Sequence, residues 1–264
     1  AITFGGAVNG VATLTLNAGT GGAVALDGAV GSTTALTGLT VTGGSFSAQA
    51  LNIDGDLNVT TSAGDIAQGD AFTVTGASSF DAGAHAITLG NTGNNFTGAV
   101  SLANSGGHNV TLDNGTHALV LGDVQVGSGT LAVTGTGITQ AAGGAITQEA
   151  SAGAASFDAG AGVLQLGNSN SFTGAVSLAN SGAYDVTLDN GTHALTLGTS
   201  TLGSGTFSLE GTGATTLAGI LSTSGGAISL AGPVTLGAAT TGIDTTGGGN
   251  VAAGAAITFG GAVN

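Results

Sequence analysis

The stretch FTGAVSLANSG, Phe96 to Gly106, returns letter for letter at Phe172 to Gly182, an offset of 172 − 96 = 76 positions. The likeness spreads outward on both sides. SFDAGAHAITLGN before the first copy matches SFDAGAGVLQLGN before the second, and NVTLDNGTHALVLG after it matches DVTLDNGTHALTLG. Phe80 pairs with Phe157 and His117 with His193, so the offset is 157 − 80 = 77 upstream and 76 downstream, after one deleted residue. Self-similarity on this scale is the signature of a repeat architecture, in which a unit cannot bury its apolar face alone. The long internal repeats fall at about 78–154 and 155–231. Within the stretch, Val100 and Leu102 alternate with Ser101, the period-2 pattern of a half-buried strand. Thr97 and Ser101 read as surface, and Asn104-Ser105-Gly106 reads as a turn.

The same alternation runs along the whole chain. Ile2 and Phe4, Leu14 and Leu16, Leu39 and Val41, Leu57 and Val59, Ile87 and Leu89, Leu131 and Val133, Phe207 and Leu209, and Ile257 and Phe259 all fit it. Turn formers separate them, such as NAGTGG from Asn17 to Gly22 and DGD from Asp54 to Asp56. No window carries apolar residues at helical spacing with caps, so the reading is all-β with no helices. Aromatic residues make up only 4% of the chain, too few for the core of an antiparallel sandwich. A parallel β-solenoid accommodates both the short strands and the 53 glycines, because its turns recur every few residues. Three strands of about seven residues imply coils of roughly 20 residues, hence roughly 12–14 coils in one continuous solenoid over 1–264. The segment Ile138 to Phe157, poor in large apolar residues, reads as a thinner part of the core. Asn104 and Asn114 are candidates for stacked amide ladders.

Composition narrows the function. The chain has no Lys or Arg, 14 acidic residues and a formal net charge of −14. Nucleic-acid binding depends on Lys and Arg to neutralise phosphates, so that partner class is excluded in this reading, as is adhesion to an anionic membrane surface. No run of about 20 apolar residues marks a membrane-inserting helix. Cysteine is absent, which leaves no disulfide framework and no thiolate nucleophile. The missing Lys and Arg also remove every trypsin-type cleavage site, which suits an extracellular protein. Ala1 opens directly in the strand pattern, so any secretion signal is expected outside this stretch.

The candidate site residues are few. Asp54, Asp56, Asp65, Asp70 and Asp81 form the densest acidic region, and the DGD at Asp54–Asp56 resembles a fragment of a calcium loop. Calcium takes six to eight oxygens, and a β-roll that builds calcium in needs an Asp in every turn. That tandem pattern is missing, so turn aspartates are the preferred reading, with Asp54 and Asp56 the only metal candidates and no other cofactor implied. His85, His108, His117 and His193 lack a partner at zinc-ligand spacing and read as exposed residues near turns. Glu149 and Glu210 stand alone, no GxSxG motif occurs, and the expectation is a protein that is not an enzyme. A flat Thr-rich face for ice or glycan binding is the alternative, resting on Thr13-x-Thr15, Thr40-x-Thr42 and Thr73-x-Thr75. The single Tyr184 offers little for a sugar ring.

The first nine residues, AITFGGAVN, are identical to the last nine, Ala256–Asn264, at a spacing of 256 − 1 = 255. We read this as one super-repeat plus an overlap, part of a longer tandem chain whose terminal coils meet copies of themselves. Over about Ala77 to Gly219 the phrases AITLGNTGNNFTGAVSLANSG and NVTLDNGTHALVLG resemble the β-strand repeats of giant bacterial exoproteins of the filamentous-haemagglutinin type. They are also similar to the NxFTGxVxL phrases of autotransporter passengers. That resemblance implies a right-handed parallel β-helix, export from a Gram-negative cell, and a role as an adhesin or extracellular fibre. The amino-terminal secretion domain and any recognisable binding module of that family are not found, which leaves a stalk role. The expected function is a building block of an extracellular or cell-surface filament, its units stacked end to end.

Overall fold

A computed structural model of the chain describes residues 1–237 and 241–264. Among the described residues the fold is all-β, and every pair of strands within a sheet is parallel. Each coil contributes to two long sheets. The first runs Ile2–Phe4, Ala23–Leu26, Ser45–Ala48, Ile66–Gln68, Ile87–Leu89, Val110–Asp113, Leu131–Thr134, Ala155–Asp158, Ala175–Ala179, Leu195–Leu197, Thr215–Leu217 and Val234–Leu236. The second includes Leu36–Gly43, Leu51–Thr61, Ser78–Asp81, Val100–Ala103, Leu119–Val126, Ile138–Gln140, Leu164–Leu166, Val186–Leu188, Phe207–Leu209, Ile228–Leu230 and Ile257–Phe259.

Stepping along the first sheet gives about 11 turns, fewer than the 12–14 expected. Most coils are longer than the expected 20 residues: Ile2 lies against Val24, a step of 22, and Leu131 against Ala155, a step of 24. The extra residues sit in the corners, where Gly, Asn and Asp loop out before the chain re-enters the ladder. At a strand spacing of ~4.8 Å, 11 steps make a rod about 50 Å long. Two sheets replace the three equal strands of the sequence reading, because in several coils two of the expected strands fuse into one bent ribbon. Leu51–Thr61 is such a ribbon, pairing with Phe72–Val74 at one end and Ser78–Asp81 at the other.

The core is a column of alternating side chains. Leu51, Ile53, Leu57, Val59 and Thr61 point inward along a single strand, with Asn52, Asp54, Asp56, Asn58 and Thr60 outward. The larger inward residues form one cluster from Leu16 to Val234 that includes Phe46, Phe72, Phe80, Phe96, Phe157, Phe172 and Phe207, all fully buried. Each such side chain contributes about 1.5–3 kcal/mol by leaving water. The segment Ile138 to Phe157 supplies three strands and the buried Ile138, Ile146 and Phe157.

The DGD at Asp54–Asp56, read as a turn, lies in the middle of the strand Leu51–Thr61. A Cβ on Gly55 would come within 2.1 Å of the Thr37 carbonyl oxygen on the neighbouring coil. The glycine is there for close approach between coils and not for reversal of the chain.

Candidate functional site

The outward rows are mostly uncharged. On the first sheet one continuous row reads Thr3, Ala25, Ser47, Ala67, Thr88, Thr111, Ala132, Ser156 and Ser177. On the second, a row reads Thr139, Gln165, Thr187, Ser208, Ser229 and Thr258. Asp81, Asp113 and Asp158 lie at strand ends, whereas Asp54, Asp56 and Asp123 point outward from within second-sheet strands.

The calcium candidates are engaged across coils. The Asp54 carboxylate accepts from Thr75 Oγ1 at 3.2 Å, and Asp56 accepts the Ala77 amide at 2.9 Å. Asp65 likewise accepts the amide of Ala86, one coil on, while Asp70 and Asp81 accept amides of their own corners. Among the described residues, no three His, Asp or Glu side chains converge as a metal site would require.

The histidines divide into two kinds. His117 Nδ1 faces the carbonyls of Asn94 at 3.0 Å and Asn114 at 3.3 Å, and His193 Nδ1 faces that of Asn190 at 3.2 Å. A carbonyl can only accept, so Nδ1 carries the proton in this geometry and donates. His85 and His108, in contrast, stack with ring centroids 5.9 Å apart and an interplanar angle of 26°. Their separation of 23 positions is one coil, a signal that was readable once the coil length was known.

Of the Thr pairs, Thr15 stands beside Thr40, and Thr42 beside Asn17 on one side and Thr60 on the other. The Thr15–Thr40 row then passes to Asn58 and Ser79, and the Thr42–Thr60 row to Asp81. Thr73 lies elsewhere, between Asn52 and Asn95 on its own ladder. Tyr184 is 53% exposed, on a shallow depression formed with Ala118, Thr136, Gly137 and Val163. A second depression, formed by Thr139, Gln140, Gln165, Asn168 and Thr187, offers only amides and hydroxyls.

Sequence reasoning picked out Asn104 and Asn114 but missed the other asparagines that organise the corners and the way all of them bond. Asn104, read as part of a turn and with Asn114 as a candidate for an amide ladder, is 2% exposed, and Asn94, Asn114, Asn170, Asn180 and Asn190 are buried with it. They do not form a ladder of amides bonded to one another. Asn114 Oδ1 accepts the Phe96 amide at 2.7 Å while its Nδ2 donates to the Ala118 carbonyl at 2.7 Å. Asn190 repeats this with Phe172 at 2.8 Å and Ala194 at 3.1 Å. Asn104 accepts from Gly127 and donates to the His108 carbonyl, and Asn180 accepts from Gly203 and donates to the Tyr184 carbonyl. Each amide thus ties one coil to its neighbour through backbone groups that the bend of the corner takes out of the ladder. Beside Asn114 and Asn190, the carboxylates of Asp113 and Asp189 accept the amides of Gly115 and Gly191, whose φ angles are 58° and 59°. The left-handed backbone there is open to glycine at no steric cost.

Two aspartates have carboxyls held below their ordinary range. Hydrogen bonds from Thr206, backbone first and side chain second, do this for Asp185. For Asp244 the Thr246 side chain leads, followed by the Thr246 and Gly248 amides.

The repeat spacing and the paired corners now meet an independent finding. Residues 31–103 and 107–179 each match the family described as Repeats of unknown function (DUF5649). The chain belongs to that family. The two matched segments begin 107 − 31 = 76 positions apart, the spacing of the FTGAVSLANSG copies, and together span more than half the chain. No curated protein and no solved structure matches it.

Proposed function

We propose that this DUF5649 chain is a structural segment of an extracellular or cell-surface bacterial filament or adhesin stalk, its work being length and stiffness. The observation that carries this reading is the parallel ladder with a single core from Leu16 to Val234, whose outward row on the first sheet is short and uncharged from Thr3 to Ser177. A rod of this kind resists bending because each strand is bonded to the coils above and below it, and each corner is tied again by a buried asparagine. The lack of Lys and Arg and the likeness to filamentous-haemagglutinin-type repeats support a place outside a Gram-negative cell. No catalytic role, cofactor or nucleic-acid partner is assigned, and the main partner is a further copy of the same unit. Electron micrographs of the native material test the reading: continuous fibres are expected, and isolated compact particles would overturn it.

The Thr-face alternative draws support from the contact of Thr15 with Thr40. The longest run of threonines in register, Thr196, Thr216 and Thr235, has three ranks where a binding plane would need many, so this alternative ranks second. An ice-recrystallisation assay on the purified chain is expected to show no activity.

A further inference from the structure

The two copies of AITFGGAVN do not sit in equivalent places. Ile2–Phe4 pairs with Ala23–Leu26 in the first sheet, and Val8 bridges to Val30 and on toward Leu51 in the second. Ile257–Phe259 pairs with Ile228–Leu230 in the second sheet, and Val263 bridges to Val234 in the first. The same nine residues therefore make the same two-strand corner at both ends, with the sheets exchanged. A spacing of 255 residues is 11 turns and a fraction, not a whole number of turns.

Each end also shows the half of the contact that the other lacks. Ile257, Phe259 and Val263 are 39%, 38% and 51% exposed, whereas their equivalents Ile2, Phe4 and Val8 pack against the core from the opposite side. The glycines are more telling. A Cβ built on Gly5 or Gly6 meets nothing within 4 Å, and neither residue has the positive φ that would call for glycine. On their equivalents, a Cβ at Gly260 would lie 2.5 Å from the Ala231 carbonyl oxygen, and one at Gly261 would lie 2.6 Å from Pro233 N. Glycine at 5 and 6 answers no need within the chain itself. It answers the need of a coil seated on another coil like Ile228–Leu236.

From these contacts we propose that Ala256–Asn264 is a joint on which a second copy of this unit continues the ladder, with its first sheet growing from the second sheet of the copy before it. This deepens the filament reading and rests on it. The register follows from the amino-terminal end: Ile257, Thr258 and Phe259 receive Val24, Ala25 and Leu26 of the following copy, and Val263 receives its Val30. The outward row ending Ser208, Ser229, Thr258 then runs on into Ala25, Ser47, Ala67 of the next copy. No side of the filament is reserved for one row, because each joint carries the pattern part of a turn around the rod.

The test is a protein of two copies joined head to tail through one shared AITFGGAVN, with spin labels on introduced cysteines, since the native chain has none. Ser229→Cys paired with Ala25→Cys of the second copy places the labels two strand spacings apart, about 10 Å, and strong dipolar broadening is expected. Thr235→Cys with the same second-copy cysteine places them on different sheets, with much weaker broadening expected. The reverse result overturns the sheet exchange while leaving the filament reading intact. No broadening in either pair, in a particle that small-angle scattering shows to be twice as long, overturns the joint as a ladder. A compact particle overturns both. Amide exchange supplies a check without labels: the Val8 amide donates to the Ala29 carbonyl at 3.1 Å, so the Val263 amide should become at least ten-fold more protected in the two-copy protein. Unchanged exchange at Val263 counts against the joint.

Discussion

The two long copies share SFDAG, FTGAVSLANSG and TLDNGTHAL, yet they occupy opposite sides of the rod. Ser78–Asp81 belongs to the second sheet, and its counterpart Ala155–Asp158 to the first. Val110–Asp113 is in the first sheet and Val186–Leu188 in the second. A spacing of 76–77 residues covers about three and a half turns, so the main strands of the second copy fall on the other face. The local structure does not notice. Phe80 and Phe96 meet edge to face at 6.0 Å, and Phe157 and Phe172 at 5.8 Å. The asparagine ties are the same in both. An identical stretch therefore specifies a strand, its inward residues and its corner, while remaining indifferent to which sheet it joins, because both sheets offer the same parallel edge at the same spacing.

Where the copies differ, single residues account for it. Leu119–Val126 is one strand of eight residues, but its counterpart breaks into Leu195–Leu197 and Ser200–Leu202. Ser200 stands where Val124 stood, and its hydroxyl accepts the Leu178 amide at 3.1 Å and donates to the Gly198 carbonyl at 3.3 Å. Those bonds interrupt the strand at the point where the first copy continues through a shift of register.

The equivalence of the copies can be attacked directly, beginning with the aromatic pairs. Phe80→Ala and Phe157→Ala should each destabilise by about 3–5 kcal/mol, the cost of a cavity in a packed core. Urea unfolding followed by amide exchange in each copy should give matching losses, and a clear inequality would show that the two faces are packed differently. The asparagine ties come next. Asn114→Ala and Asn190→Ala strand a buried amide and a buried carbonyl each, costing roughly 2–4 kcal/mol apiece. The specific reporter is the exchange rate of the Phe96 or Phe172 amide, which should rise only in the copy that was changed.

A smaller effect of opposite sign separates the copies at Ser78, whose buried hydroxyl has no hydrogen-bond partner. Its counterpart is Ala155. Ser78→Ala should raise stability by about 1 kcal/mol, and a loss on calorimetric melting would argue against an unsatisfied hydroxyl there.

The smallest effect concerns pH. Asn109 Oδ1 accepts the Thr130 amide in the first copy, while Asp185 Oδ1 accepts the Thr206 amide in the second. The Asp185 carboxyl is held below its ordinary value by Thr206. A depressed folded value stabilises the fold above the unfolded value of 3.8 and loses that contribution as pH falls through the folded one. As pH falls below 3.8 the Thr206 amide resonance should titrate and that of Thr130 should not, and Asp185→Asn should abolish the difference.

Much of the architecture was legible in the residues. Alternation placed Val100, Leu102, Leu131 and Val133 inward, and the glycine-rich turns between short strands pointed to a parallel solenoid. The corners were harder. An Asn-Ser-Gly turn looks exposed in a sequence, but here the coils above and below cover Asn104 and leave its amide serving three backbone groups. The Asp54–Asp56 stretch carries turn chemistry in its letters, yet it stays within a strand, at a shift of register, because Gly55 lets the neighbouring coil approach.

By itself the sequence determined the strands, the inward column and the existence of a long repeat, because these depend on the character of each residue and its neighbours within one coil. Only the tertiary structure decided which sheet each copy joins and how the ends relate. Those depend on the sum of all coil lengths between two points, and steps that range from 17 to 29 residues accumulate into a fraction of a turn that no local pattern encodes.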